Sequence, residues 1–468
     1  MPEFEELSSG TAIDAILQRF ERFGIQLGLK RMQHLLAALG NPQQKVPILH
    51  VAGTNGKGSV CAYLSSVLTE AGYRVGRYTS PHLMNWNERI CLNDRPIATD
   101  RLLHLLQQVE RAIAVPAAMQ PIPESPTKFE VITAAAWLYF AQEQVDLAVM
   151  EVGLGGRLDA TNVCDRVLAS IITSISYDHC EYLGNTLAAI AREKAAILKP
   201  DCPAAIGPLP PEARSVVEEQ LRACNCPTLW PEPAIALGHN RIEYRPPHII
   251  GGHQTSTSKP LNPLQYSLPL AGTVQLTNSA LAIAALQILQ QKGWRISDAA
   301  IATGIANTHW PGRLQQTTWN DRPLILDGAH NPAAARALKQ TLQSQIPQPD
   351  SPAKQLPIAW VIGILANKDC SAILSALLQP RDRLHLVPIP GQNFADPNTL
   401  AGLALKLCPG LSHCQPYPDL PTALEHATQI PTKPHLPNPT IHPSTRPTVL
   451  CGSLYLISHF LTYRKHSK

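Results

Sequence analysis

Charge is scarce in this chain of 468 residues: Asp, Glu, Lys and Arg make up 16% of it, and the formal net charge is +4. So mild a balance leaves no electrostatic footprint for nucleic acid, and no run of five or six like charges occurs. Also missing is any uninterrupted apolar stretch of 18 residues, which excludes a hydrophobic helical span of a membrane. The 11 cysteines are odd in number and form no CxxC pair; the nearest two are Cys224 and Cys226. That usage reads as reduced thiols rather than a disulfide framework or a zinc knuckle. Glu3, Glu5, Glu6 and Asp14 interrupt the start of the chain, so no signal peptide is expected there. What is plentiful is apolar residues, at 44%, and proline, with 43 positions. The first rules out wholesale disorder, and the second points to many loops. At roughly 150 residues per domain, two or three units are expected, in a soluble, cytosolic, mixed α/β protein.

The most informative segment follows a short apolar run, Ile48, Leu49, Val51 and Ala52. It reads Gly53-Thr54-Asn55-Gly56-Lys57-Gly58-Ser59, and behind it Val60, Leu64, Val67, Leu68 and Ala71 recur at helical spacing up to Gly72. Strand, glycine turn and helix in that order make a phosphate-binding unit. Glycines let backbone N–H groups converge on oxygen atoms, Lys57 offers a point charge to β/γ-phosphates, and the Ser59 hydroxyl suits Mg²⁺. The competing interpretation, a glycine turn without a ligand, has against it both the strand before and the helix after. Read alone, the segment says ATP or GTP and nothing about an acceptor.

Further strands are expected at Val75–Tyr78, 147–152 and 167–175, with helices near 130–142 and 186–198. This alternation predicts a mostly parallel sheet covered on both faces. Residues 200–270 read as irregular, and a hinge is placed at Trp310-Pro311-Gly312. Beyond it, strands at 324–326, 358–364, 384–387 and 448–450, with helices starting near Pro332, Asp369 and Ser453, predict a smaller C-terminal α/β domain. The proline-rich residues 430–447 read as an extended surface loop.

At this point the residues match a family. His50 to Ser59 resembles the signature of bacterial folylpolyglutamate synthases and bifunctional dihydrofolate synthases, members of the Mur-ligase superfamily. Matching segments follow in order: Ser80-Pro81-His82-Leu83, Asn87-Glu88-Arg89-Ile90, Glu151 to Asn162, Asp178-His179, Glu193-Lys194-Ala195, Trp310 to Arg313, Asp327 to Pro332, and Gly452 to Leu456. The resemblance implies a Mur-ligase-like fold with an ATP- and pterin-binding domain over residues 1–310 and a glutamate-ligase-type domain over 311–468. It implies an ATP-dependent ligase that joins L-glutamate to dihydropteroate, to tetrahydrofolate (poly)glutamates, or to both. The acid's carboxylate would attack the γ-phosphorus of ATP, and the glutamate amine would displace phosphate from the resulting acyl phosphate.

The same resemblance implies the residue roles. Residues Gly53, Thr54, Asn55, Gly56, Lys57, Gly58 and Ser59 would cradle ATP, with Asn278 at the adenine, Arg313 at the phosphates and Asp327 at the ribose. Ser80, Glu151 and His179 would hold Mg²⁺, and Lys194 matches a lysine that becomes carbamylated. Phe129, Asp159 and Ala160, closed over by Leu27-Gly28-Leu29, would bind the pterin. His330 and Ser453 would handle the γ-phosphate or the incoming glutamate, giving Lys57, Lys194, His179 and His330 as catalytic residues. The chain departs from the family pattern at Val274, where histidine is usual, and at Asn367, where aspartate is more frequent. It also has one extra residue between Glu151 and His179. The partners implied are small molecules only, with no nucleic acid or membrane, for a monomer. One rival is a Mur-type ligase acting on a peptidoglycan precursor, which would share the phosphate loop but not the 80–83 and 155–162 segments. Another is an inactive nucleotide switch, against which the joint presence of Lys57, Glu151, Lys194 and Arg313 argues.

Overall fold

A computed structural model of the chain describes residues 2–21, 26–114, 125–238, 240–246, 263–345, 357–428 and 447–466. It divides into two compact units: Met1–Pro269 with Gln275–His309, and Leu270–Val274 with Trp310–Lys468.

The first unit is built on eight strands: β1 (Ile48–Ala52), β2 (Val75–Tyr78), β3 (Ile90–Leu92), β4 (Arg95–Pro96), β5 (Leu147–Glu151), β6 (Val167–Ile172), β7 (Ala204–Ile206) and β8 (Thr228–Leu229). Their order is β4-β3-β2-β5-β1-β6-β7-β8. From β2 to β8 every pairing is parallel, and the β2-β3-β4 edge is antiparallel. All residues of β1 and β5 are buried, as strands covered on both faces must be, which is why they read as apolar runs broken only by His50 and Glu151. After β1 the chain turns to one side for β2 and then crosses back to place β6 on the other. The carboxyl ends of β1, β5 and β6 therefore border the kind of crevice in which open α/β sheets bind ligands.

The described residues of 200–270 are not irregular, contrary to the expectation from sequence. They hold β7, the helix Pro211–Ala223 and β8, followed by β9 (Ile235–Gly238), β10 (Arg241–Tyr244) and β11 (Leu264–Ser267) in a small antiparallel sheet. The strands β7 and β8 are three and two residues long, too short to show a period. The proline pair belongs to a helix start, with Pro210 as the cap and Pro211 in the first turn, where a missing N–H removes no bond. The Thr/Ser/His stretch at 253–258 lies outside the described residues.

In the second unit β12 (Gln315–Trp319) runs antiparallel to β13 (Arg322–Leu326). Parallel pairings then join β13 to β17 (Thr448–Cys451), β14 (Ala359–Ile362), β15 (Arg383–Leu386) and β16 (His413–Pro416) in that order. Helices begin at Pro332, Cys370 and Leu454, close to the expected positions. The elements without a sequence signal are β12, with Gln315, Gln316, Thr317 and Thr318, and β16, with the helices Pro397–Leu407 and Leu420–Thr428. Of the expected loop at 430–447, residues 430–446 lie outside the described residues.

The core of this unit contains an imidazole. His385 on β15 is fully buried, with neither ring nitrogen partnered, among His413 at 4.7 Å and Tyr417 at 5.3 Å between ring centroids. Burial first, then the His413, Arg383 and His426 charges, push it down to about 3 from 6.5. In the unfolded chain it takes up a proton below pH 6.5 that the folded chain refuses, so stability falls as pH drops through that window. At pH 5 this one group costs roughly 2 kcal/mol relative to neutral pH. Urea unfolding of wild type and His385→Phe at pH 7 and pH 5 checks this. The variant is expected to lose less stability than wild type between the two, and equal losses would remove His385 as the cause.

Candidate active site

The glycine loop between β1 and the helix Lys57–Glu70 is held in place by the end of β6. Thr54 N donates to Ser174 O at 2.7 Å, Asn55 N to Ser174 Oγ at 3.1 Å, and the Thr173 hydroxyl to Asn55 O at 2.6 Å. Gly56 sits at φ 89°, and a Cβ there would come within 2.5 Å of Asn278 Oδ1. Only glycine allows that approach, so Asn278 stands directly against the loop. Its Nδ2 donates to Gln275 Oε1 at 3.1 Å, and Gln275 Nε2 lies 3.4 Å from Ser59 Oγ. Val274, at the start of this helix, is exposed.

Lys57 opens the helix after the loop. Its Nζ donates to Thr54 O at 3.2 Å and lies 4.0 Å from Glu151 Oε1. Glu151, buried at the end of β5, accepts Ser80 N on its other oxygen at 3.2 Å. Lys57, Ser80 and Glu151 are thus gathered at the carboxyl ends of β1, β2 and β5. Carboxylate and hydroxyl are hard oxygen donors of the kind Mg²⁺ takes, and the carboxylate is held ready by an ammonium group rather than by another acid. His179 stands on the loop after β6 at φ 52°, its Nε2 3.9 Å from Asp178 Oδ1. Among the described residues no three His, Cys, Asp or Glu side chains form a group that could hold a metal ion.

Lys194 reaches the same loop from the helix Leu187–Ala195, its Nζ donating to Gly53 O at 2.9 Å. Burial, reinforced by the Lys57 charge, lowers its amine to about 7, with Asp178 and Asp159 opposing. The amine is therefore largely neutral at slightly alkaline pH.

Phe129 and the segment 153–162 meet just beyond the end of β5. A Cβ on Gly153 would come within 2.4 Å of Phe129 Cζ, so the ring rests on the backbone at the end of that strand. Thr127 and Glu130 cap the helix Lys128–Gln142 reciprocally. Glu130 Oε2 also takes Arg31 Nε at 3.2 Å, while Arg31 Nη2 donates to Gln26 O at 2.8 Å. This ion pair brings Leu27, Gly28 and Leu29 to the end of the helix that carries Phe129. Asp159 is buried and accepts Leu154 N at 2.8 Å on one oxygen; on the other it accepts Thr161 N at 3.0 Å and Thr161 Oγ1 at 2.6 Å. Burial raises its pKa against these bonds. Ala160 beside it is also buried.

A separate cluster forms in the second unit. Asp327 is buried after β13, accepting Leu314 N and Ala329 N, each at 2.9 Å. Burial raises its pKa, and the Arg313 guanidinium opposes the rise. His330 donates from Nδ1 to Gly328 O at 2.8 Å. The Ser453 hydroxyl accepts Tyr455 N at 3.1 Å at the start of the last helix.

Sequence reading missed Thr173, Ser174, Gln275 and Arg31. Thr173 and Ser174 carried a signal: two hydroxyl residues directly after the buried run Ala169, Ile171 and Ile172.

A parallel sheet with a lysine-bearing phosphate loop at its switch point, joined in one chain to a second α/β unit, defines an ATP-dependent ligase of the Mur type. The family model for the Mur ligase middle domain matches residues 51–286, and that for the dihydrofolate synthetase C-terminal domain matches residues 312–463. The folylpolyglutamate synthase of Lacticaseibacillus casei is 36% identical over 385 residues, covering 82% of this chain and 86% of that protein. The dihydrofolate synthase/folylpolyglutamate synthase of Bacillus subtilis is 39% identical over 329 residues, 69% of this chain and 74% of that one. Among solved structures, Escherichia coli FolC in complex with DHPP and ADP superposes with a TM-score of 0.77 at 28% identity, covering 97% of each chain. The chain belongs to the folylpolyglutamate synthase/dihydrofolate synthase family. It is an ATP-dependent ligase that attaches glutamate in folate metabolism, and the peptidoglycan alternative is not favoured. No described helix is long and apolar enough to cross a membrane.

Proposed function

We propose that the chain adds L-glutamate both to dihydropteroate and to reduced folates. In this reading residues 1–310 bind ATP and the pterin and residues 311–468 serve the glutamate step, in a cytoplasmic monomer. The observation that carries it is the meeting of Lys57, Ser80 and Glu151 beside the glycine loop, with Phe129 against Gly153 and Asp159 on the loop after β5. Gly53, Thr54, Asn55, Gly56, Gly58 and Ser59 cradle the phosphates through backbone N–H and hydroxyl groups. Lys57 offsets the charge that builds as the acceptor carboxylate oxygen attacks the γ-phosphorus and ADP departs. The glutamate amine then attacks the acyl carbon, phosphate leaves and the amine gives up a proton.

Ser80 and Glu151, with His179, would hold Mg²⁺, which when bound offsets phosphate charge and so lets two anions meet. Asn278 contacts the adenine, Asp327 the ribose and Arg313 the phosphates, while His330 and Ser453 serve the γ-phosphate or incoming glutamate. Lys194, with its neutral amine, adds to CO₂ and gives up one N–H proton to solvent, leaving a carbamate anion. Leu27, Gly28, Leu29 and Ala160 line the pterin pocket, whose aromatic face is Phe129 and whose acceptor is Asp159.

The test is phosphate release from ATP with glutamate, comparing dihydropteroate, tetrahydrofolate and a muramoyl peptide precursor as acceptors. Turnover is expected with the first two and none with the third. Release with tetrahydrofolate alone would remove the dihydropteroate half of the reading.

A further inference from the structure

His50 is the only polar residue of β1, and it is fully buried at the centre of the larger sheet. Its Nε2 lies 2.8 Å from Thr161 Oγ1, and that hydroxyl donates to Asp159 Oδ1 at 2.6 Å. A threonine hydroxyl has one proton. Since that proton points to Asp159, the bond between His50 and Thr161 has to be donated by the imidazole. The ring proton is thereby fixed on Nε2, and Nδ1 is left a bare acceptor, buried and without a partner. Burial, with the Lys199 charge adding to it, holds the ring neutral by lowering it to about 3.

A leucine here would fill an all-apolar strand without burying an unpaired acceptor, so packing does not account for a histidine. What the imidazole supplies is a donor. It occupies the acceptor side of the Thr161 hydroxyl and so stops that hydroxyl from rotating away from Asp159. The second Asp159 oxygen is fixed separately by Leu154 N at 2.8 Å. A line of donors thus runs from the middle of β1, through Thr161, to a carboxylate on the loop after β5.

We propose that His50 is a positioning residue for the acceptor site: through Thr161 it holds Asp159 in the one orientation that meets the pterin end of the acid substrate. The inference rests on the reading that Asp159 contacts the pterin, and three variants separate the two. Asp159→Asn tests the contact itself, His50→Leu removes the donor, and His50→Gln restores a donor of similar reach. Steady-state kinetics with dihydropteroate should show Asp159→Asn and His50→Leu each raising its KM about tenfold, the size expected of one hydrogen bond. The KM for ATP should not move, kcat should hold, and His50→Gln should recover most of the loss. An unchanged KM in Asp159→Asn would overturn the contact and the inference with it. A raised KM in Asp159→Asn beside an unchanged one in His50→Leu would overturn the inference alone. So would a His50→Leu variant that loses kcat and weakens ATP equally, since that is the mark of general structural support. Should His50→Leu fail to fold, Thr161→Val breaks the same line with a side chain of equal shape, and the same outcomes decide.

Discussion

Replacing Lys57 with alanine should lower kcat for glutamate ligation about a thousandfold, equivalent to about 4 kcal/mol of barrier. The lysine ammonium is the cation on the glycine loop, 4.0 Å from Glu151 Oε1. Its removal leaves the transferring phosphoryl group without that charge and the buried Glu151 carboxylate without that neighbour. Folding should survive, because Lys57 sits in the first turn of its helix and alanine is the best helix former. The measurement is phosphate release alongside a thermal melt. Turnover near the wild-type rate in a normally folded variant would take the loop out of the chemistry.

The second large effect is expected at Lys194. An amine lowered to about 7 by burial and by the Lys57 charge is largely neutral at pH 8, which is what reaction with CO₂ requires. Lys194→Ala should lose at least a hundredfold in kcat, on the scale of one displaced active-site group. Wild-type enzyme in CO₂-depleted buffer should fall in the same direction and recover on adding bicarbonate. The recovery should weaken as pH drops below about 7, where the amine takes up a proton and can no longer attack CO₂. Isotope-labelled bicarbonate gives a readout independent of turnover, a labelled carbamate carbon in the wild type that is missing from Lys194→Ala. Wild-type activity indifferent to bicarbonate, with no label retained, would leave Lys194 with only its bond to Gly53 O.

The phosphate loop was legible because its strand, turn and helix are contiguous, and each announces itself: β1 as a buried run, Gly56 as a turn, the helix by its period. Strands β2, β5 and β6 were legible for the same reason, β2 with its ends as expected and β5 and β6 ending one and three residues earlier than expected. β12 was not, because an edge strand of glutamines and threonines has no apolar alternation to read. The Arg31–Glu130 pair lay out of reach for a different reason. Its partners are 99 positions apart, and nothing local to either residue distinguishes a buried ion pair from two solvated charges. Gln275 was passed over because its meaning depends on the helix Val274–Gln291 running against the loop, a tertiary fact. The contact that requires glycine at position 56 is of the same kind.

The strand order of the larger sheet has a consequence for how such a ligase changes over time. The cradle hangs from β1 and β6, whereas the loop carrying Asp159 hangs from β5, and the line from His50 through Thr161 to Asp159 ties that loop back to β1. On the proposed reading of Asp159, mutations in the β5 loop that spare Glu151 and Thr161 would retune which acid is admitted while the glycine loop on β1 stays as it is.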